Sequence, residues 1–260
     1  MATILITGGA GGLGSELVSL LLEAGHTPRV LSRRPAPSGL DARVQWRQAD
    51  ILDGAGLPDV VAGIDVLVNS MTSNTDPWAV DVDGTRRILA AGRSAGLAHA
   101  VHISIVGIDR IPNPYFEAKL AAEEAVRASG VPFSIWRATQ FHTLLDAFLA
   151  PLRRGDTAPV LQSPDALYQL IDTSEAAQAL LPHITAAPAG RLPDLGGPEV
   201  SPLEEIARQW LAANDLERTI SYVPNSNEAI EQLRAGAGTA PGNRYGSITW
   251  GQYLARKYTR

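Results

Sequence analysis

Apolar runs and helical stripes alternate from the first residues of the chain. Thr3–Thr7 is a continuous apolar run of strand length. Residues 14–24 carry Leu17, Val18, Leu20, Leu21 and Leu22 at the spacing of a helix packed on a sheet, and Gly25 stops it. Further strand-like runs lie at 29–32, 44–47, 66–69, 100–104 and 133–137, and helical patterns at 84–95 and 115–129, the second ended by Gly130. Strands alternating with helices predict an α/β fold with a Rossmann-type, doubly wound parallel sheet, and right-handed crossovers leave few topologies open. After residue 138 the pattern loosens. Helices are expected at 144–153, 174–184 and 203–213, strands at 168–171 and 219–223, and 249–255 reads as a packed helix. The organisation expected is a dinucleotide-binding domain over 1–140 and a small C-terminal substrate lobe over 141–260, with elements returning to the main sheet.

The stretch Thr7-Gly8-Gly9-Ala10-Gly11-Gly12-Leu13-Gly14 joins the first strand to the first helix. It reads as Gly9-x-Gly11-x-x-Gly14 or as Gly8-x-x-Gly11-x-x-Gly14. Glycines there allow a tight turn, close backbone approach to a pyrophosphate and close helix–strand packing, and the helix N-terminus offers free N–H groups to the phosphates. A Gly-rich turn without a ligand is the bland alternative; a strand before and an apolar helix after favour a dinucleotide. Thr7, Gly8, Gly9, Gly11, Gly12, Leu13 and Gly14 are therefore expected to hold the cofactor.

Composition narrows the class. With 45% apolar and 19% charged residues the chain is globular. A net charge of −5 lacks the cationic excess of a nucleic-acid or anionic-membrane binder, so neither partner is expected. The absence of cysteine excludes disulfides, thiol nucleophiles and thiolate-ligated metals. The histidines show no metal-ligand spacing, so no metal is expected. The start MATILIT has no basic leader, and no apolar run is long enough to span a bilayer, which leads to the expectation of a cytoplasmic protein. Oligomeric state is not readable from the pattern; a homodimer is compatible with it.

The end of the second strand faces the adenosine ribose in this topology, and sites for NAD place an acid there. This chain has Ser32-Arg33-Arg34 instead. A guanidinium forms forked, charge-assisted hydrogen bonds to a 2′-phosphate that a carboxylate would repel, so the expected cofactor is NADP(H), with Arg33 ahead of Arg34 as ligand. A solvated loop pair is the alternative. Asn69 and Ser70 follow the fourth strand and should lie near the cofactor, although Asn69 also suits a loop residue satisfying backbone groups.

Thr-Gly-x-x-Gly-x-x-Gly after the first strand resembles the short-chain dehydrogenase/reductase superfamily, above all its atypical NmrA-like branch. The resemblance continues in VLSRRP (30–35), QAD (48–50), DGTRRIL (83–89), HISIVG (102–107), YFEAKLAAE (115–123) and SIWRATQF (134–141), and more weakly at Asp172 and GGPE (196–199). It implies that Asp50 contacts the adenine, a turn role being equally open, and that Tyr115 and Lys119, four apart on one helix face, form the acid–base pair. A phenol titrates near ~10, and the nearby ammonium is expected to lower it. Lys119 is also a candidate to hold the nicotinamide ribose, and Ser104 to hydrogen-bond the reacting oxygen. Thr139 is expected at the cofactor and Phe141 and His142 at the substrate, because they follow the sixth strand on the ligand side of the sheet; a structural His142 is the commoner alternative.

Two main functions follow. One is an NADPH-dependent reductase moving a hydride to a carbonyl or quinone, a small-molecule substrate. The other is an NADP(H)-sensing, NmrA-like regulatory protein without turnover, to which the eleven-position step from Ser104 to Tyr115 adds slight weight. Isomerase, epimerase or dehydratase chemistry on a bound cofactor is a third class. No Gly-x-Ser-x-Gly stands at a strand-to-helix elbow, the match at 92–96 falling at the end of a helical pattern, which argues against a serine hydrolase.

Overall fold

A computed structural model describes residues 1–153, 160–223 and 227–258. In chain order the first half runs β1 (Thr3–Thr7), α1 (Gly12–Glu23), β2 (Thr27–Ser32), β3 (Gln45–Gln48), α2 (Leu57–Val61) and β4 (Val66–Asn69). A π-helical turn, Trp78–Asp83, leads directly into α3 (Gly84–Ser94), followed by β5 (His99–Ile105), α4 (Pro114–Ala128) and β6 (Phe133–Ala138). The second half comprises α5 (His142–Leu149), β7 (Val160–Gln162), β8 (Leu167–Leu170), α6 (Thr173–Thr185), β9 (Gly190–Arg191), β10 (Glu199–Pro202), α7 (Leu203–Ala213), β11 (Ser221–Val223), α8 (Glu228–Arg234) and α9 (Trp250–Tyr258).

Among the described residues, seven strands form one parallel sheet in the order β3-β2-β1-β4-β5-β6-β9, the doubly wound Rossmann arrangement expected from the alternating pattern. The strand order reverses between β1 and β4, and ligands of such sheets bind outside the carboxyl ends of the strands at this switch. The structure departs from the sequence pattern at several elements, α2, α8, β7, β9 and β10 among them. The helix expected over 144–153 divides into α5 and a 3₁₀ turn, Ala150–Arg153. The π-helical turn closes with Gly84 N–H bonding to Ala79 O, a five-residue step that a 3.6-residue period does not register.

The chain forms two compact units. The first comprises the described residues of Met1–Ser104, Pro114–Arg137 and Ala177–Pro193. Its sheet buries Leu5, Leu31, Leu67 and Ile135 against Val60 and Val61 of α2, Ile88 and Leu89 of α3, and Val126 of α4. Small residues let the π-helical turn approach α4 closely: Val82 packs on Ala118 and Ala122. The second unit comprises the described residues of Ile105–Asn113, Ala138–Ala176 and Asp194–Arg260. It has its own core of Leu145, Leu149, Leu170, Ile206, Trp210 and Trp250. The buried Asp146 carboxylate ties that core to α9, accepting from Trp210 Nε1 at 2.7 Å, Tyr253 OH at 3.1 Å, Tyr258 OH at 2.5 Å and from Lys257. Among the described residues no helix is long and apolar enough to cross a membrane.

Register sets the carboxyl ends of β1 and β4 level with the middle of β5 in the first unit: Thr7 opposite Asn69, and Asn69 opposite His102. Their side chains meet in a dry row. Thr7 Oγ1 donates to Asn69 Oδ1 at 2.7 Å, and Asn69 Nδ2 donates to Thr85 Oγ1 at 2.9 Å and to His102 Nδ1 at 3.1 Å. Acceptance at Nδ1 puts the neutral imidazole's proton on Nε2. Burial, with the charge of Lys119 adding to it, drives the His102 pKa down to about 3. Between that value and the ordinary 6.5 the unfolded chain holds one more proton at this group than the folded chain. The stabilisation is therefore complete above 6.5 and is lost as pH falls toward 3. Denaturant unfolding from pH 7 to 4 should show a stability slope steeper in wild type than in His102→Gln by roughly 1.4 kcal/mol per pH unit; equal slopes would mean that His102 is not held neutral.

Candidate functional site

The loop from β1 to α1 has no room for side chains at two points. Gly8 sits at φ +72, where a Cβ would also lie 2.7 Å from Ser70 O. At Gly14 a Cβ would lie 2.3 Å from Gly8 O and 2.6 Å from Gly9 Cα, all backbone that cannot step aside. The turn is closed by Gly11 N–H on Gly8 O at 2.9 Å. No side chain caps α1 at Gly11, so the first-turn N–H groups behind Gly12 and Leu13 receive no side-chain acceptor from the cap. A Cβ-free turn against uncapped amides at the sheet's switch point fits the phosphates of a dinucleotide.

Beside it, β3 holds the end of β2. Gln48 Nε2 donates to Arg33 O at 3.1 Å and Trp46 Nε1 donates to Arg34 O at 2.9 Å. The backbone of the two arginines is thus fixed while their side chains stand exposed. Asp50 spends one oxygen on a turn, accepting from Leu52 N–H at 2.9 Å. Ser70 Oγ donates to Thr7 O at 2.7 Å, holding β4 to β1 just under Gly8. Asn69 is 2% exposed and its amide is committed to the row with Thr7, Thr85 and His102.

The acid–base candidates divide into two clusters. Tyr115 opens α4 half-buried, and its OH lies 2.7 Å from the exposed Thr72 hydroxyl in the loop after β4. One turn on, Lys119 is buried and its Nζ donates to Asp81 Oδ1 and to Ile103 O, both at 3.2 Å. Asp81, 1% exposed in the π-helical turn, uses its other oxygen to accept from Ser73 N–H at 3.0 Å. Ser104 points elsewhere: its hydroxyl donates to Glu123 Oε1 at 2.6 Å. Glu123 is fully buried and also takes a forked pair from Arg137, at 2.7 and 2.9 Å, and a third contact from Arg127 at 2.9 Å. These donors outweigh burial and hold the Glu123 carboxyl below its ordinary pKa.

The phenol does not behave as the Tyr-x-x-x-Lys spacing suggests. Burial pushes the Tyr115 pKa above its ordinary value and the negative charge of Asp81 adds to this, with the Thr72 hydrogen bond working against both. The Lys119 ammonium is spent on a buried carboxylate, and burial of the phenol, not the lysine, sets the direction of its shift.

Thr139, Phe141 and His142 lie in the second unit. Thr139 is buried, and its Oγ1 accepts from Gly197 N–H at 3.3 Å. Phe141 bridges to Ile171. His142 is fully buried between the rings of Tyr253 and Trp250, at 5.1 and 5.7 Å, with Nδ1 3.6 Å from Asp172 Oδ2. Burial lowers its pKa, against the pull of Asp172. Thr72 and Asp81 were not singled out from sequence. A hydroxyl-rich run after the switch strand, and an acid inside the otherwise apolar WAVDV segment, were the available signals.

A family profile described as NAD(P)H-binding matches residues 8–144. The chain is 30% identical over 192 residues to a 3β-hydroxysteroid dehydrogenase/Δ5→4-isomerase of Mycobacterium tuberculosis, covering 57% of this chain and 52% of that protein. It is 27% identical over 210 residues to a (4-alkanoyl-5-oxo-2,5-dihydrofuran-3-yl)methyl phosphate reductase of Streptomyces griseus, covering 79% and 72%. The chain thus spans about half the length of the mycobacterial relative. In fold it is similar to a short-chain dehydrogenase/reductase superfamily protein of Agrobacterium tumefaciens solved with bound NAD, with a TM-score of 0.72 at 21% identity over 99% of this chain and 96% of that one. The glycine turn at the switch of a doubly wound sheet and the match over more than half of its residues place this chain in the NAD(P)H-binding family.

Proposed function

We propose that the protein is an NADPH-dependent reductase that delivers a hydride to a carbonyl or quinone. The observation that carries this reading is the half-buried Tyr115 phenol, set against a solvent-exposed Thr72 hydroxyl in the same compact unit as the glycine turn. When bound, the nicotinamide supplies the hydride. Gly8, Gly14 and the start of α1 hold the phosphates, and Tyr115 gives its proton to the substrate oxygen. Carbon gains a hydride and oxygen a proton, so a carbonyl leaves as an alcohol and a quinone as a hydroquinone. The phenolate left behind regains its proton from water by way of Thr72. The dehydrogenase and reductase names of relatives support a redox role. Exposed Arg33 and Arg34, with no carboxylate at the end of β2, support the 2′-phosphate of NADP(H) over NAD(H).

A second reading, a cofactor sensor without turnover, is favoured by one feature. The Ser104 hydroxyl and the Lys119 ammonium are both committed to buried carboxylates, Glu123 and Asp81.

NADPH oxidation with a panel of aldehydes, ketones and quinones separates the two. Wild type should turn over, and Tyr115→Phe should fall by roughly 10²–10⁴-fold. An undiminished variant removes Tyr115 from the mechanism, and tight NADPH binding with no turnover across the panel supports the sensor. Calorimetric titration of Arg33→Ala should show NADPH affinity reduced by about 10–100-fold, the scale of a lost charge-assisted hydrogen bond, with NADH affinity unchanged. An equal effect on both cofactors would sink the 2′-phosphate assignment.

A further inference from the structure

Asp81 stands between the two groups that surround the Tyr115 phenol. Its Oδ1 takes the Lys119 ammonium from α4, and its Oδ2 takes Ser73 N–H, the backbone next to Thr72, whose hydroxyl meets Tyr115. The pair is dry: the Lys119 and Asp81 side chains are 5% and 0% exposed. The acid reaches this place because the π-helical turn widens the backbone just ahead of α3, and such turns recur at functional sites. We propose that Asp81 is a positioning residue that takes up the charge of Lys119 and fixes the Thr72 loop, so that Tyr115 is held as the protonated phenol. That is the form on which reduction of a carbonyl or quinone draws. The inference rests on Tyr115 being the proton donor of the proposed reductase.

The other charges nearby do not reproduce this effect. Tyr115 faces Asp81 from the π-helical turn, and Glu117 and Lys119 lie on its own helix. Lys119 faces Asp81 and, from β5, His102, which burial holds neutral. Glu123, one turn further along α4, is already bonded to Arg137 and Arg127, and Asp83 turns outward to Arg86 at 2.9 Å. Removing the Asp81 charge therefore takes a negative charge away from the phenol, which favours the phenolate, and leaves the buried Lys119 ammonium without its carboxylate.

The test is a spectroscopic titration that needs neither substrate nor cofactor. Tyrosinate absorbance is followed from pH 7 to 11, and the difference between each protein and its Tyr115→Phe counterpart isolates this phenol among the six tyrosines. In wild type no Tyr115 step should appear below the ordinary phenol value of about 10. In Asp81→Asn a step should appear at least one pH unit lower than in wild type, and Asp81→Glu, which keeps the charge, should titrate like wild type. An unchanged step in a folded Asp81→Asn protein overturns the proposal. Should that variant not fold, wild type decides alone: a Tyr115 step at or below 10 overturns it and none supports it. Failure of the reductase reading looks different, as a shifted titration in Asp81→Asn together with no wild-type turnover on any substrate.

Discussion

Polar groups cut off from water must find partners inside the protein, and at the carboxyl edge of the sheet in the first unit that demand fixes nearly everything else. Two strand ends and the middle of β5 lie level there, each bringing a polar side chain: Thr7, Asn69 and His102. They bond to one another, with Thr85 completing the set from α3, and His102 Nε2 is left without a partner. Because Thr7 and Asn69 face inward, the chain can turn over them with nothing but backbone. Gly8 then approaches Ser70 O more closely than a Cβ would permit, and Gly14 seats α1 directly on the turn. The cradle and the buried row are two sides of one packing solution. The row supplies the rigid floor and the glycines the open face.

The same logic governs α4. Its buried face presents Lys119 and, one turn later, Glu123. Each is matched from a different element: Lys119 by Asp81 of the π-helical turn, Glu123 by Arg137 of β6. Replacing one partner alone strands a buried charge at a cost of about 3–5 kcal/mol. Ser104 is drawn into the second of these pairs because a fully buried carboxylate gains from every available donor, and the end of β5 supplies a hydroxyl. A residue type that looks catalytic by its place at a strand end is here part of the bonding that fixes a helix to the sheet.

What the sequence makes legible follows from this. The parallel sheet as a class and the glycine turn are local or periodic features, and the alternation of apolar runs with helical stripes carries them. The strand Val66–Asn69 and the helix Leu203–Ala213 emerge at their observed bounds. Two-residue β9 and three-residue β7 are too short to carry a period. The partner of a buried charge is not periodic at all. Nothing in the spacing of Asp81 and Lys119, 38 positions apart, links them, and only the π-helical step turns the acid inward. Tyr-x-x-x-Lys is therefore readable as a pair on one face of a helix, while the charge environment that decides how the pair behaves is not.

That distinction bears on how function is to be argued for such a chain. Lys119 has a structural reason to stay whether or not the protein performs chemistry, since its loss would orphan Asp81 in a dry interface. Its presence is thus weak testimony for catalysis, and the same holds for Ser104 beside Glu123. Tyr115 is different. It is half-buried, and its hydroxyl reaches an exposed threonine. The case for a proton-donating enzyme in place of a silent cofactor binder accordingly rests on one oxygen atom, and on whether the charge behind it is free or, as here, already taken.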